Sequence, residues 1–499
     1  MIREGRLSPR LLAWGVSLAF LCMYCSISLY NHYVFRTFAF DLGIKNQAIW
    51  DYAHFRYSYS TVMTELHGEI NILANHFEPV LFLFGPLYWI FGSYTLLVVQ
   101  IAFIILGGWG IYRYFRISQS NPWLAVAAMA VFYGIWAIFG ALAYDFHTNV
   151  LGAMLVPWIV YFMERRKIWA AVLVAFVLMN CKENMALWSV FIGLGLALHY
   201  RRSRPQWAGG LAISALGAVY FILVMKVFMP YYAAGRLPYL HFSYSALGED
   251  FGEAFRTLLT KPWVAVKLLF VNHLPHEDAY NDVIKMQLHS FVMLSGGIFL
   301  FFRPQFLIML IPIYAQKMFS DDPGKWGIYN QYSIEFVPVI ALAAFSVISS
   351  WRDRRVQIAA GALVFLSAFD TTKGFIDMWQ PTDYYKRQTK FYSPVHYERE
   401  IPVAETHRAL RRYVPDGVPV SATFYLLPHL AGRSGIYLFP ARSKADYVVW
   451  CSDGVGSYPL NPADDRKTLD SLLTSGEWTT DYTNNQLYIL HRNEPVRPE

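Results

Sequence analysis

The sequence is short of charge. Asp, Glu, Lys and Arg make up 15% of its 499 residues, against roughly a quarter in soluble domains. That deficit excludes an ordinary water-facing globule. Cysteine is also scarce. Cys22 and Cys25 lie inside one apolar run, Cys181 ends another, and Cys451 is near the C-terminus. This spacing offers neither a disulfide framework nor a thiolate metal site. The basic N-terminal stretch has no small-residue cleavage site, so it is read as an uncleaved first span and not as a signal peptide. The formal charge of +7 raises the question of a nucleic-acid partner, but its distribution points instead to membrane topology.

Apolar residues, in contrast, are abundant: 55% of the chain is hydrophobic and 17% aromatic. They fall in blocks separated by short polar or basic stretches, the pattern of a polytopic α-helical membrane protein. Eleven candidate spans are read at 11–30, 93–112, 122–143, 148–164, 168–181, 185–200, 208–229, 290–302, 305–319, 331–350 and 356–372. The run "VLFLFGPLYWIFGS", 79–92, is short and carries an internal Gly-Pro. It suits an interfacial or re-entrant helix.

With 79–92 not crossing, one set of loops collects Arg3, Arg6, Arg10, Arg113, Arg116, Arg165, Arg166, Lys167, Arg201, Arg202, Arg204, Arg303, Arg352, Arg354 and Arg355. The positive-inside rule assigns these to the cytoplasm. The N-terminus is then inside and the C-terminus outside the cell (inner) membrane. Facing outward are the loop 31–92, the turns "AYDFHTN" and "CKEN", the loop 230–289, the turn "SDDPGKWGIYNQ" and everything from 373. Two regions follow: a transmembrane domain, 1–372, and a soluble extracytoplasmic domain, 373–499. The tail alternates helical "VAETHRALRRYV" and "ADDRKTLDSLL" with strand-like "VPVSATF", "GIYLFP" and "ADYVVWCS", and closes on a hairpin around Asn484-Asn485. That is the signature of a small α/β layer. It shows no Gly-rich phosphate loop and no nucleophile elbow. The loop 230–289 mixes apolar and basic residues, is broken at Lys261-Pro262, and is read as helices lying on the outer surface.

Several polar groups stand next to the membrane on the outer side. Asp41, in "FAFDLGIKNQAIWDYAH", is positioned to cap a helix from 42 to about 54, with Lys45 as its i+4 partner. Asp145 and His147 are two residues apart, so an extended turn points both one way. They are either a ligand pair, with a divalent metal as candidate cofactor, or an ordinary polar turn. His76 and Glu78 either bind substrate or cap a helix starting at Pro79. Residues 168–200 as one helix would be roughly 50 Å long, too long for a hydrocarbon core of about 30 Å. The chain is therefore expected to turn at "KEN", leaving Lys182 and Glu183 at the outer interface. There, ionisable groups are either functional or snorkelling.

The segments "FDLGIKNQAIW", "ANHFEPVLFLFGPLYWIFGS", "DFHTNVL", "KENMAL", "YSIEFVPVIALAA" and "SATFYLLPHLAGRSGIYLFP" followed by "ADYVV" resemble a family of predicted prokaryotic membrane proteins known as domain of unknown function 2079. The resemblance runs over roughly 38–452. The chain departs from the family pattern at Asn184, where an acidic residue is usual, and near Asn330–Tyr332, where a histidine is common. The family is in turn similar to the GT-C class of membrane glycosyltransferases, which take sugars from polyprenyl-phosphate donors.

That resemblance implies Asp41 as the catalytic base. It also implies Lys45, His76, Glu78, Asp145, His147, Lys182, Glu183, Asn330, Gln331 and Tyr332 as substrate-binding positions, and membrane lipid and a lipid-linked sugar as partners. It leaves oligomeric state, sugar and acceptor open. Two other classes compete: a membrane transporter of a lipid or small solute, and a non-catalytic envelope assembly protein. Transporters typically show related halves and a polar site at mid-membrane. Here the polar groups gather at one face and no related halves are evident.

Overall fold

In the computed structural model of the chain, residues 8–62, 68, 70–118, 121–234, 242–274, 280–378, 388–452, 458 and 460–494 are described. Arg3 and Arg6 lie outside them. The first helix, α1 (Pro9–Tyr33), starts where a Ser8 side chain accepts from the Leu11 amide and a proline fills the first turn, a standard helix opening. A π-turn, Ala39–Gly43, leads into α2 (Ile44–Ala53). A two-residue hairpin, β1 (Tyr59–Ser60) and β2 (Ile70–Asn71), follows.

The apolar helices come next. They are α3 (Thr95–Ser118), α4 (Pro122–Gly134), α5 (Trp136–Ala143), α6 (Thr148–Glu164), α7 (Ile168–Met179), α8 (Glu183–His199) and α9 (Arg204–Leu223). After them come α10 (Phe251–Thr260), α11 (Pro262–Phe270), α12 (Tyr280–Leu294), α13 (Pro304–Met318), α14 (Phe336–Ile348) and α15 (Arg354–Met378). Among the described residues, three helical runs are long and apolar enough to cross a membrane alone: Pro9–Tyr33, Pro79–Ser118 and Arg204–Ala233. A fourth counts if α4 and α5, bent by 42°, make one span. Thr148–Glu164, Ile168–Met179, Val283–Leu294 and Phe336–Ile348 are apolar but shorter.

The expected span 290–302 is corrected. Its α-helix stops at Leu294, Gly296 takes φ +107°, and a separate 3-10 turn runs Gly297–Phe302. A left-handed glycine breaks a helix at no steric cost, and hydropathy does not register it. Nor is Pro79–Ser118 one rod. Pro79–Leu87 is a 3-10 run with Pro86 inside it, Tyr88–Phe91 is a single α-turn, and Gly92 at φ +53° ends the segment.

The helices alternate between two chemically different ends. At one end the basic turns meet: Tyr200 hydroxyl donates to Glu164 (2.8 Å), Gln206 to the Met163 carbonyl (2.7 Å) and Arg303 to the Ser346 carbonyl (2.9 Å). At the other end, the Phe38 amide donates to Asp145 (2.7 Å), Thr148 to Glu78 (2.6 Å) and Asn149 to Glu335 (2.9 Å). Both ends of the 79–92 segment lie at this second end. The Val80 amide reaches the Asn180 carbonyl and the Ser93 carbonyl accepts from Asn46. Its middle stays there too: a Cβ at Gly85 would meet the Tyr52 carbonyl carbon of α2 at 3.0 Å, and Phe82 packs on Tyr52.

Close helix contact depends on small residues. A Cβ at Gly193 in α8 would meet the Gly210 carbonyl of α9 at 2.5 Å, and one at Gly210 would meet the Ala197 amide nitrogen at 2.6 Å. In lipid, such small-residue seams let backbones approach and gain dispersion contact.

The tail carries α16 (Val403–Tyr413), β3 (Val420–Ala422), β4 (Ile436–Leu438), β5 (Tyr447–Cys451), α17 (Pro462–Thr474), β6 (Trp478–Thr483) and β7 (Leu487–Arg492). It forms a mixed five-stranded sheet in the order β4-β3-β5-β7-β6, parallel across β4-β3-β5 and antiparallel beyond. The β6–β7 hairpin turns at Asn484-Asn485, with Asn485 at φ +70°. This sheet is docked on the first polar loop. Thr61 Oγ1 donates to the Ile436 carbonyl and accepts from the Ile436 amide, Gln47 reaches the Ser434 carbonyl, and Asn46 reaches that of Pro428. Tail residues Val420, Leu427 and Leu438 share one buried apolar cluster with Phe38, Leu42 and Ile44.

Candidate functional site

A cavity of about 1560 Å³ opens at the non-basic end, between the π-turn, the starts of α6 and α8, the end of α13 and the helices α10 and α11. It is larger than the roughly 300–1,000 Å³ of most small-molecule sites. One part is polar, with Asp41, Lys45, His76, Glu78, His147, Lys182, Glu183, Gln331 and Tyr332 on its wall. The rest is apolar, walled by Phe221, Phe251, Phe255, Val266, Leu307 and Ile311 among others. Asp145 and Asn330 do not line it.

Asp41 sits within the π-turn. The cap positions of that turn and of α2 are Phe38 and Gly43, and neither helix start has a side-chain cap bond. The capping alternative is therefore not the arrangement found, because the helical segment begins at Ala39, three residues earlier than expected, and takes Asp41 inside it. Lys45 does not turn back to Asp41. Its ammonium lies 3.2 Å from Glu78 Oε1 and 5.6 Å from the centre of the Phe146 ring. Both side chains of that pair are buried, 9% and 1% exposed. Thr148 adds a hydrogen bond to the same Glu78 oxygen, while Oε2 is buried with no hydrogen-bond partner among the described residues.

The 144–148 turn is held from α3. Gln100 donates through Nε2 to the Asp145 carbonyl (2.7 Å) and accepts through Oε1 from the His147 amide (2.9 Å). Asp145, at φ +60°, spends its carboxylate on the Phe38 amide, which ties this turn to the π-turn. Its neighbour His147 points into the cavity, where Nε2 is 3.7 Å from Asp41 Oδ1. The two side chains expected to point one way are thus separated: His147 meets Asp41, and Asp145 serves the Phe38 amide. Among the described residues no group of three His, Cys, Asp or Glu side chains is arranged to hold a metal ion. Asp145 and His147 have separate partners, the Phe38 amide and Asp41.

The "KEN" turn behaves as its length requires. Lys182 is the extended cap residue of α8, and Glu183 opens the helix. The Glu183 carboxylate accepts from the Phe77 amide (3.1 Å) and pairs with His76 Nδ1 (3.0 Å). His76 and Glu183 therefore join two segments more than a hundred residues apart. Asn184, where the family pattern is acidic, donates to Gln316 of α13 (2.9 Å).

Sequence reasoning missed four participants. Gln100 was a lone amide in an apolar run. Glu335, paired with Asn149, and Lys317, which donates to the Gly327 carbonyl (3.1 Å) and lies 5.9 Å from the Tyr332 ring, also line the cavity. Lys325, in the 320–331 turn, is the fourth. The available signal was an ionisable residue within or bordering an apolar run, which in a membrane protein is costly and rarely idle.

The 320–331 turn is latched to the α9–α10 connection. Asp321 accepts from the Ser245 amide (2.8 Å), the Ser245 and Ser243 hydroxyls, and His273 (3.1 Å). Burial pushes the Asp321 carboxyl up, but these hydrogen bonds together hold it below its ordinary value.

A family model described as predicted membrane protein (DUF2079) matches residues 31–489. The chain belongs to that family. The match spans the π-turn, the cavity lining and the tail sheet as far as Ile489 in β7. No curated protein matches the chain.

Proposed function

We propose that this DUF2079 protein is a membrane glycosyltransferase of GT-C type, moving a sugar from a polyprenyl-phosphate donor to an acceptor at the outer face of the cell membrane. The observation that carries the reading is the single cavity in which a carboxylate facing an imidazole adjoins a long apolar wall. A lipid-linked sugar needs both: apolar walls for its chain and a base at the reacting carbon.

In this reading the chain spans the membrane about eleven times, one crossing being the broken pair of α12 and the 3-10 turn Gly297–Phe302, with the N-terminus cytoplasmic and the C-terminus extracytoplasmic. The gathering of basic turns at one end supports that orientation. The acceptor oxygen attacks the anomeric carbon, and its proton passes to Asp41. The bond from that carbon to the phosphate oxygen breaks, and polyprenyl phosphate leaves as an anion. No general acid is needed, unlike in glycoside hydrolysis. His147 stands beside Asp41 to orient it, and the leaving phosphate requires positive charge in the cavity. The helices α10 and α11 form part of the apolar wall, and they also carry the exposed Leu259 and Trp263, which do not line the cavity. That suits a lateral wall dipping into lipid. The test is lipid and surface-glycan profiling of a deletion strain. Loss of one glycan with accumulation of its lipid-linked donor is expected, and an unchanged profile would remove the proposal.

A further inference from the structure

Four lysines line the cavity: Lys45, Lys182, Lys317 and Lys325. Two are already committed. Lys45 is paired with Glu78 at 3.2 Å, and Lys317 donates to the Gly327 carbonyl. Lys182 and Lys325 differ. Among the described residues, neither side chain makes a hydrogen bond. Among those residues too, Lys182 has no ion-pair partner, and Lys325 has only Asp322 at 3.9 Å, the long limit of an ion pair. They reach the cavity from two separate chain segments, Lys182 at the start of α8 and Lys325 in the 320–331 turn.

Resting on the glycosyltransferase reading, we infer that Lys182 and Lys325 together form the subsite for the phosphate head group of a lipid, clamping it from two chain segments while the apolar wall takes its hydrocarbon chain. The ammonium groups of Lys182 and Lys325 repel each other, and of the nearby acids, Glu183 and Glu335 for Lys182 and Asp321 and Asp322 for Lys325, the closest pairing is Asp322 at 3.9 Å. An anion placed between them relieves that repulsion and gains charge-assisted hydrogen bonds from both. Lys325 carries the mark of this arrangement. Burial lowers its ammonium from the ordinary value, Asp322 opposes, and the like charge of Lys182 adds to the lowering. The 320–331 turn is also latched through Asp321 to Ser243, Ser245 and His273. Lys325 is thus presented from a fixed loop, not a loose one. The clamp spans a sequence separation that motif reading does not bridge.

The test measures binding, not transfer. Full-length purified protein is titrated with farnesyl phosphate, farnesol and inorganic phosphate. The wild type is expected to bind farnesyl phosphate at least tenfold more tightly than either fragment. Lys182→Met and Lys325→Gln are each expected to weaken it by about tenfold or more, the scale of one charge-assisted hydrogen bond. Both are expected to leave farnesol binding unchanged, and Lys373→Met, on the exposed end of α15, is expected to change nothing. Should Lys182→Met fail to fold, Lys325→Gln alone decides, since its side chain is 26% exposed. Unchanged farnesyl phosphate affinity in Lys325→Gln would overturn the clamp and leave the enzyme reading standing. Absence of farnesyl phosphate binding in the wild type would overturn the lipid-phosphate donor itself. Inorganic phosphate binding as tightly as farnesyl phosphate would overturn the lipid assignment of the subsite.

Discussion

His147 faces Asp41, with Nε2 3.7 Å from Oδ1. The imidazole comes from the 144–148 turn, the carboxylate from the π-turn. Both are locked by backbone bonds to Asp145 and Gln100. A carboxylate held this way is set to take a proton without first reorganising.

Asp41→Asn separates catalysis from structure. Asn keeps the size and removes the basicity. Loss of a general base typically lowers rate by about 10²–10⁴. Asp41 is not the cap of α2, so the fold and abundance are expected to stay at wild-type levels. Glycan product from an Asp41→Asn strain is the measurement, and wild-type product levels would remove the carboxylate from the mechanism.

Lys45→Met is expected to fail for a different reason. It leaves the Glu78 carboxylate, 1% exposed, charged and uncompensated, at a cost of about 3–5 kcal/mol. Lys45→Met should therefore lower thermal stability in detergent, and the double variant Lys45→Met/Glu78→Gln should recover most of it. A single variant that stays stable but loses lipid-phosphate binding would instead assign Lys45 to the head group.

A reporter enzyme fused after Arg116 should be active in the cytoplasm, and one fused after Glu499 outside it. An external signal at Arg116 would mean that 79–92 crosses, against the two contacts that return both its ends to the same side.

Acid should loosen the tail. His429 stacks on His32 (3.9 Å between centroids, 6°) and meets His407 edge-on (5.4 Å) where α1 ends against the tail. Thr37 and Ser93 contact His32, the Tyr33 carbonyl faces His407, and Arg411 is the nearby permanent charge. Burial, then the neighbouring histidines, holds His429 well below its ordinary value, and burial lowers His407. In the unfolded chain both titrate at about 6.5, so below that pH the unfolded state binds more protons and stability falls. Melting temperature is expected to be flat above about pH 7 and to drop below about 6.5, with a shallower drop in His429→Phe. A flat profile in the wild type would count against the stack as the acid-sensitive element.

The membrane class, the positions of the apolar helices and the order of tail elements were legible because each is a local property: composition, period, or a turn residue such as Asn485. The break at "KEN" was legible because length alone forced it. The partners were not. Nothing in the spacing of Asp145 and His147 says that one serves the Phe38 amide and the other faces Asp41, since alternation describes an extended strand and Asp145 is at φ +60°. Lys45 and Glu78 are 33 residues apart, and Gln100 acts on a turn 45 residues away. Pairings of that kind are set by packing, which a linear pattern does not contain.

The docking of the tail on the first loop has a consequence for the timing of assembly. Asn46, three residues past the π-turn glycine, is hydrogen-bonded to a carbonyl made 382 residues later. The ring of Phe38, at the start of the π-turn, packs edge-on against Phe424 at 3.6 Å between centroids. The segment that holds Asp41 is among the first to be synthesised and among the last to be fixed. A nascent chain therefore carries its carboxylate through most of synthesis without the setting that would make it reactive. Only a polypeptide finished past the β3 strand closes the site, so truncated products retain the membrane helices but not the assembled centre.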